Sequence, residues 1–356
     1  MMKSKLRKSL FEVRRESYVK EESIKKDILD CSLGTNPYGF PHEILEGISL
    51  HDFDCSIYPS PYNDSLKGAL VEYWKGTFDK EEVFIGTGSM GCLEKVNKFA
   101  IREGSKVLGY APQFSEYITE VRIMGGVYEY MSLKKGEDFE FNYDEFIGKI
   151  NDNYTLVYID NPNNPTGQVI PLDVIEDITK KALEKEVIVV VDEAYGDFMD
   201  IKNSAVNLEY PNLIVVRSFS KGFGLANLRV GYAVIKGRDL REIYSKVNLP
   251  FQISTLAEIF AINAIQHRKF IQKCTRKISN NKKKLLNYMK NEFNISATAM
   301  EVPIVLLWKE GVNLYEYLLK RDILTVNGAD FAGLDSSYVR LRIPQDIKML
   351  IKRFGE

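Results

Sequence analysis

Residues 213–235 read LIVVRSFSKGFGLANLRVGYAVI. The apolar, β-branched run from Leu213 to Val216 predicts a buried strand that ends at Arg217. Ser218, Phe219 and Ser220 follow, then a lone lysine, Lys221. Glycines at 222 and 224, Arg229 and a second strand-like run from Gly231 to Ile235 complete the stretch. A lysine at the carboxyl end of a buried strand is costly to place without a use. Desolvation and a neighbouring cation such as Arg217 both favour the neutral amine, the form that attacks a carbonyl. Two hydroxyls and a guanidinium fork (Ser218, Ser220 and Arg229) can together hold a phosphate. The combination suits an aldehyde cofactor that carries a phosphate. In isolation the same residues also read as a surface lysine in a serine-rich loop, so the rest of the chain has to decide.

Outward from this stretch, strands and helices alternate. Val83 to Ile85 leads into Gly86-Thr87-Gly88-Ser89-Met90-Gly91 and a helix with Leu93, Val96 and Phe99 on one face. Strand, glycine turn and helix form a phosphate-binding arrangement, because free N–H groups at a helix start point at the anion. The spacing matches neither GxGxxG nor a Walker loop. Further strands are expected at 106–110, 127–131, 155–159 and 187–191, with a helix over 172–185. The last of these strands is a continuous β-branched run, as burial on both faces requires. Such alternation predicts an α/β fold, a mostly parallel sheet with helices on both sides. Four strands end in unusual chemistry: Phe114, Asn164 in DNPNNPTG (160–167), Asp192 with Tyr195 in VDEAY (191–195), and Ser218 to Lys221. Ligands in open α/β sheets bind beyond the carboxyl ends of strands. Four such endings on one edge make a site.

Flanking segments read differently. Residues 1–29 lean basic, with Leu6, Leu10 and Val13 at helical spacing, which predicts a solvated amphipathic helix. Asp30 to Pro41, DCSLGTNPYGFP, is extended and turn-rich, a linker or a strip folding over a site; Gly34 would let a ligand approach its backbone. Around Tyr58, prolines hold an extended lead, and Asn63 or Asp64 caps a helix carrying Leu66, Leu70 and Trp74. After about residue 245 the pattern turns helical, with a long Lys/Asn-rich helix over 268–293. An alternating strand at 302–308, a helix at 314–320 and strands at 323–326 and 338–343 follow. This divides the chain into a large part, 45–265, and a smaller α+β part made of 1–44 and 266–356. The run Lys282-Lys283-Lys284 is expected on a solvated helix face.

Composition excludes several classes. With 356 residues, 45% hydrophobic and 27% charged, the chain has the balance of a soluble globular protein. A net charge of −1 offers nucleic acid no general attraction. Cys31, Cys55, Cys92 and Cys274 form no CxxC pair and read as buried thiols in a reducing compartment. His42, His51 and His267 sit in no metal-ligand pattern and read as surface residues. Without a run of about 18 apolar residues or an apolar leader, neither a membrane span nor a secretory signal is expected, and a cytoplasmic protein is the default.

Taken together, DNPNNPTG, VDEAY and SFSKGFGLANLRVGY, in this order and spacing, resemble the fold-type I pyridoxal-phosphate enzymes. Within them the chain is similar to the class I/II aminotransferases, on their histidinol-phosphate aminotransferase-like branch, from NPYG at Asn36 to the Arg340 strand. The resemblance implies a mostly parallel seven-stranded sheet and pyridoxal 5′-phosphate bound to Lys221 as a Schiff base. It implies that Asp192 pairs with the protonated pyridine nitrogen, that Tyr195 and Asn164 bond the phenolic oxygen, and that Phe114 stacks on the ring. A carboxylate ending a buried strand needs a cationic partner on energetic grounds as well. Gly88, Ser89, Met90, Ser218, Ser220 and Arg229 would hold the phosphate. Arg340, with Gly34 and Asn164 beside it, would receive the substrate α-carboxylate. Tyr58 would reach the phosphate of a neighbouring subunit, which implies a homodimer with shared active sites.

The implied activity is amino transfer between an amino acid (or amino phosphate) and a 2-keto acid. A decarboxylase of the threonine-phosphate type, or another specialist on the same scaffold, shares these residues, because the bond that breaks depends on its alignment to the ring plane. A ligand-sensing half of a regulator would need more chain than the 30 residues before Cys31, and the glycine spacing disfavours an NAD dehydrogenase. Two departures stand out: Pro344 where a glycine is common, and Arg342 on the same strand face as Arg340. The second leaves the carboxylate ligand open between the two arginines.

Overall fold

The β-branched runs form one seven-stranded sheet in a computed structural model that describes residues 5–14, 27–46, 48 and 54–355. In chain order the first elements are β1 (Leu29–Asp30), α1 (Asp64–Tyr73), β2 (Val83–Gly86), α2 (Gly88–Ala100), β3 (Lys106–Ala111), α3 (Ser115–Ile123) and β4 (Val127–Ser132). Next come α4 (Tyr143–Lys149), β5 (Tyr154–Asp160), α5 (Leu172–Leu183), β6 (Ile188–Glu193), β7 (Leu213–Ser218) and β8 (Gly231–Ile235). The large sheet runs β2-β8-β7-β6-β5-β3-β4. Only β8 is antiparallel to its neighbours. The expected α/β architecture is therefore present. Its register pairs Asp160 with Asp192, Asp192 with Val216, and Glu193 with Arg217. Since side chains alternate along a strand, Asp160, Asp192 and Ser218 share one face and Glu193 and Arg217 the other.

The second part holds α6 (Arg238–Val247), α7 (Thr255–Gln266), α8 (Arg268–Met289), β9 (Asn294–Ile295), β10 (Ile304–Trp308), α9 (Leu314–Leu319), β11 (Ile323–Leu324), β12 (Val326–Asn327), β13 (Tyr338–Arg342) and α10 (Ile347–Phe354). Its antiparallel sheet runs β12-β13-β10-β9, and β1 pairs with β11. The single strand expected over 323–326 is thus two pieces serving different sheets. β10 has no wet face, although alternation was expected of it. Val305 and Leu307 pack with Leu285 and Phe354, while Leu306 and Trp308 enter the core beneath the large sheet.

Four local expectations fail for physical reasons. In residues 5–14 only a short 3-10 turn, Lys8–Phe11, forms, with Leu6, Leu10 and Phe11 exposed. Apolar side chains left half-exposed bury too little surface to sustain a helix. Instead Arg7 and Ser9 donate to the carbonyl of Ile123 at the end of α3; residues 15–26 of the expected helix lie outside the described residues, as does His51. Asn63 precedes α1, but its side chain donates to Glu258, and it is the Glu258 carboxylate that accepts from the N–H of Leu66. Cys55 is exposed in a turn, while the other three cysteines are buried.

Lys282 is the largest departure. It is fully buried, and its Nζ reaches Thr298 Oγ1 at 2.6 Å and the carbonyls of Ala299, Val302 and Ile304 at 2.7, 2.9 and 2.8 Å. Backbone oxygens of the turn before β10 converge on one point of α8, and an amine there satisfies them. Burial holds its pKa well below the usual lysine value. The same turn docks on the large part, where Ala299 N donates to Gly167 O at 2.9 Å.

Candidate active site

Strand endings on the carboxyl edge of the large sheet converge as alternation requires. One cleft is lined by Ser89 and Met90 from α2, Phe114 before α3, Asp160 ending β5 and Asn164 after it, Asp192 in β6 and Tyr195 after it, Ser218 ending β7, and Ser220, Lys221 and Arg229 beyond it. Lys221 is half-buried, and its Nζ stands 5.3 Å from the centre of the Tyr195 ring. The Tyr195 hydroxyl is buried without a hydrogen-bond partner, a cost of about 1–3 kcal/mol unless something enters the cleft to receive it.

At the cleft mouth α2 presents its N-terminus. Arg229 Nη1 donates to Ser220 Oγ at 3.4 Å and Ala226 O at 2.9 Å, and Ser220 N donates to Ser218 Oγ at 3.1 Å. Only glycine fits at 88. Its φ is +76°, and a Cβ there would lie 2.7 Å from Arg229 Nη2. Free helix-start N–H groups, two hydroxyls and a guanidinium therefore face one small volume, a cradle for a phosphate dianion.

The floor is acidic. Asp192, 3% exposed, accepts from Tyr158 Oη at 3.0 Å and Ala194 N at 3.0 Å. Burial first, and the Asp160 charge second, push its carboxyl up to about 7. A buried acid poised this way takes a cation readily. The opposite wall comes from the strip 30–41. Gly34 touches Tyr195 so closely that a Cβ would stand 1.9 Å from its Oη. Asn36 pins the strip: its N–H donates to Lys221 O at 3.1 Å and its amide to Gly222 O at 2.8 Å. This segment folds over the cleft and is not a plain linker.

Of the two arginines on β13, Arg340 is the one that reaches the cleft. It is 1% exposed; Nη1 donates to Asn164 Oδ1 at 2.9 Å and Nη2 to Ser32 O at 2.5 Å. Arg342 turns to Asp30 O at 2.6 Å. Tyr58 is not in the cleft; it is 80% exposed, its ring 5.1 Å from that of Phe251.

Arg217 does not sit beside Lys221 as a free cation. It points to the other face, where Nη1 meets Glu193 at 2.5 Å and Nη2 meets Asp197 at 2.7 Å. Arg217 is therefore engaged by these two acids on the far face of the sheet. Sequence reading also missed the parts played by Asp160, which lines the cleft, and Tyr158, which donates to Asp192. Tyr158 stands two places before the DNPNNPTG motif, which is the spacing that puts its side chain on the same face as Asp160.

The residues present fit a phosphorylated pyridine aldehyde. An unpartnered phenol, a half-buried amine, an acid floor and an anion cradle are the four contacts its substituents need.

Comparison with known proteins gives the same direction. The family model described as aminotransferase class I and II matches residues 26–354. A histidinol-phosphate aminotransferase of Methanocaldococcus jannaschii is 29% identical over 343 residues, 94% of this chain and 89% of that protein. The crystal structure of the histidinol-phosphate aminotransferase from Clostridium acetobutylicum is 26% identical with a TM-score of 0.82, covering 92% of this chain and 98% of that one. The Sinorhizobium meliloti histidinol-phosphate aminotransferase, solved in complex with pyridoxal-5′-phosphate, has a TM-score of 0.79 at 21% identity, covering 92% of this chain and 89% of that one; at that distance it shows the fold.

Proposed function

The chain belongs to the class I and II aminotransferases and is a pyridoxal-phosphate-dependent aminotransferase, and from that premise we propose that Lys221 carries the cofactor in the cleft beyond β5, β6 and β7. The observation that supports this most is the amine over Tyr195 between an acid floor and an anion cradle. When bound, pyridoxal phosphate supplies an electron sink for the pair left at the amino acid's α-carbon. Ser89, Ser218, Ser220, Arg229 and the N–H groups around Gly88, Ser89 and Met90 would take the phosphate. Phe114 would cover one ring face, and Asp192 would balance the ring nitrogen. Tyr195 and Asn164 would donate to the phenolic oxygen.

The chain's own groups then do the rest. Arg340 grips the substrate carboxylate as a fork, which sets the α-carbon in one orientation. Lys221 Nζ, once the substrate amine has replaced it, takes the proton from that α-carbon. The strip carrying Gly34 and Asn36 excludes water.

The substrates in this reading are an amino acid or amino phosphate as donor and a 2-keto acid as acceptor, exchanged within a large part, 45–265, and a small part, 1–44 with 266–356. The exposed side chains of Ile57, Tyr58, Tyr62, Leu249 and Phe251 support a homodimer, since apolar patches of that kind mark interfaces. In it Tyr58 would complete the partner's phosphate site. Cysteines without disulfides suit the cytoplasm. A donor screen tests the activity: the loaded enzyme should convert an amino donor to a keto acid and leave the cofactor aminated. Release of CO₂ without keto acid would overturn it in favour of decarboxylation. Sedimentation as a monomer would overturn the shared site.

A further inference from the structure

Beside Asp192 the cleft is lined by a second carboxylate, Asp160, to which the amino-transfer reading gives no part. Asp160 ends β5 and stands in register with Asp192 on β6. Neighbouring strands lie about 4.8 Å apart and registered side chains share a face; both residues are 3% exposed. Asp160 Oδ1 accepts from Tyr110 Oη at 2.8 Å and Asn163 Nδ2 at 3.0 Å, and its Oδ2 accepts from Asn164 N at 2.9 Å. Asp192 accepts from Tyr158 and Ala194 alone among its hydrogen-bond donors. All five donors are neutral groups. Two buried neighbouring carboxylates resist ionising together, and hydrogen bonds to the charged form decide which keeps the proton. Three bonds favour the anion at Asp160, two at Asp192.

We propose that Asp160 and Asp192 share one proton in the cofactor-free chain, carried on Asp192 and surrendered when the cofactor's ring nitrogen arrives, so that Asp160 is a positioning residue that keeps the empty floor at a single negative charge. The proposal rests on Asp192 facing that nitrogen. The proton balance is simple. If the ring nitrogen arrives neutral, the proton passes from the Asp192 carboxyl to nitrogen. If it arrives protonated, the Asp192 proton leaves to water. Either way Asp192 ends ionised against a cation, and the protein gives up one proton that an already ionised Asp192 would not have had.

Other groups facing Asp192 fit this role. Tyr117 from α3, stacked on Tyr158 with centroids 3.8 Å apart, Cys92 from α2, Tyr158 from β5 and Tyr195 after β6 are all pushed up by burial and stay neutral. Lys221 is the cation, and it pulls Asp192 toward ionisation; burial and Asp160 outweigh it, leaving the carboxyl near 7.

The test is a proton count. The full chain, stripped of cofactor, is titrated with pyridoxal phosphate by calorimetry at about pH 6.5 in two buffers of different ionisation enthalpy. Wild type should release measurably more protons per site than Asp160→Asn, whose Asp192 has lost the neighbouring charge that helps to hold its proton. Equal counts overturn the proposal. Should Asp160→Asn not fold, Tyr158→Phe serves: it removes a bond to the Asp192 anion and leaves Asp160 in place. Its proton release should then persist to higher pH than that of wild type, and coincident pH curves overturn the proposal. Asp192→Asn reports separately. Weakened cofactor binding supports the assignment of Asp192, whereas binding as tight as wild type removes that assignment and the shared proton with it.

Discussion

Arg340 and Asn164, 176 positions apart, meet inside the cleft, with Nη1 donating to Oδ1 at 2.9 Å. The contact joins β13 of the small sheet to the loop after β5 of the large one, so the two sheets meet at this end of the cleft. Arg340 is held there by Ser32 O as well, which fixes the plane of its fork. Lysine keeps the charge and loses the plane. Arg340→Lys should raise KM for the amino donor by about 10–100-fold, or 1.4–2.8 kcal/mol, with cofactor affinity unchanged. Steady-state kinetics and a cofactor titration check both halves.

Gly34 works by absence. An added Cβ would stand 1.9 Å from Tyr195 Oη and 3.5 Å from Lys221 Nζ. The strip cannot retreat, because Asn36 ties it to Lys221 O and Gly222 O. Gly34→Ala should weaken pyridoxal phosphate binding by at least about tenfold, ~1.4 kcal/mol, and lower the thermal unfolding temperature of the cofactor-free chain as well, because the clash with Tyr195 is present there too. Fluorescence titration with the cofactor measures the first effect.

The acid floor makes stability depend on pH. The Asp192 carboxyl titrates near 7 in the folded chain against about 3.9 when unfolded. Its folded value is raised, so the native state binds the extra proton. The associated stability is fully present below the unfolded value and is lost as pH rises through the folded one. Asp160, Glu193 and Asp197 are raised by burial in the same direction, so the comparison must isolate one group. Cofactor-free Asp192→Asn should lose less stability than wild type between about pH 4 and 7, read from urea midpoints; parallel curves would contradict the assignment.

Lys282 should carry structure rather than chemistry. Replacing it with Met keeps the bulk but leaves Thr298 Oγ1 and the carbonyls of Ala299, Val302 and Ile304 without this donor. The expected cost is about 3 kcal/mol of unfolding free energy, measured by urea denaturation. Because that turn docks on Gly167, KM should rise as well, with kcat changed less.

The strands of the large sheet and the edge on which the cleft opens were legible because β-branched runs announce buried strands and their endings carry rare residues. Asp192, Tyr195 and the Ser218–Lys221 segment were found that way. Lys282 was not, because three consecutive lysines give no phase, and the oxygens that call one of them inward belong to backbone. Arg217 was misjudged for a related reason: its acids, Glu193 and Asp197, stand 24 and 20 positions earlier; the β6–β7 register brings Glu193 opposite, and the turn after β6 brings Asp197. Asp160 was absorbed into a turn motif, and only the β5–β6 register sets it beside Asp192. Arg340 and Arg342 share a face by alternation, and only the packing of the strip 30–41 separates them.

The central claim concerns one amine. Loading the enzyme with pyridoxal phosphate, reducing it with borohydride and mapping the added mass by peptide mass spectrometry locates the covalent attachment directly. The account predicts the cofactor on Lys221 and nowhere else. Attachment at another lysine, such as the buried Lys95, or no attachment at all, would contradict it.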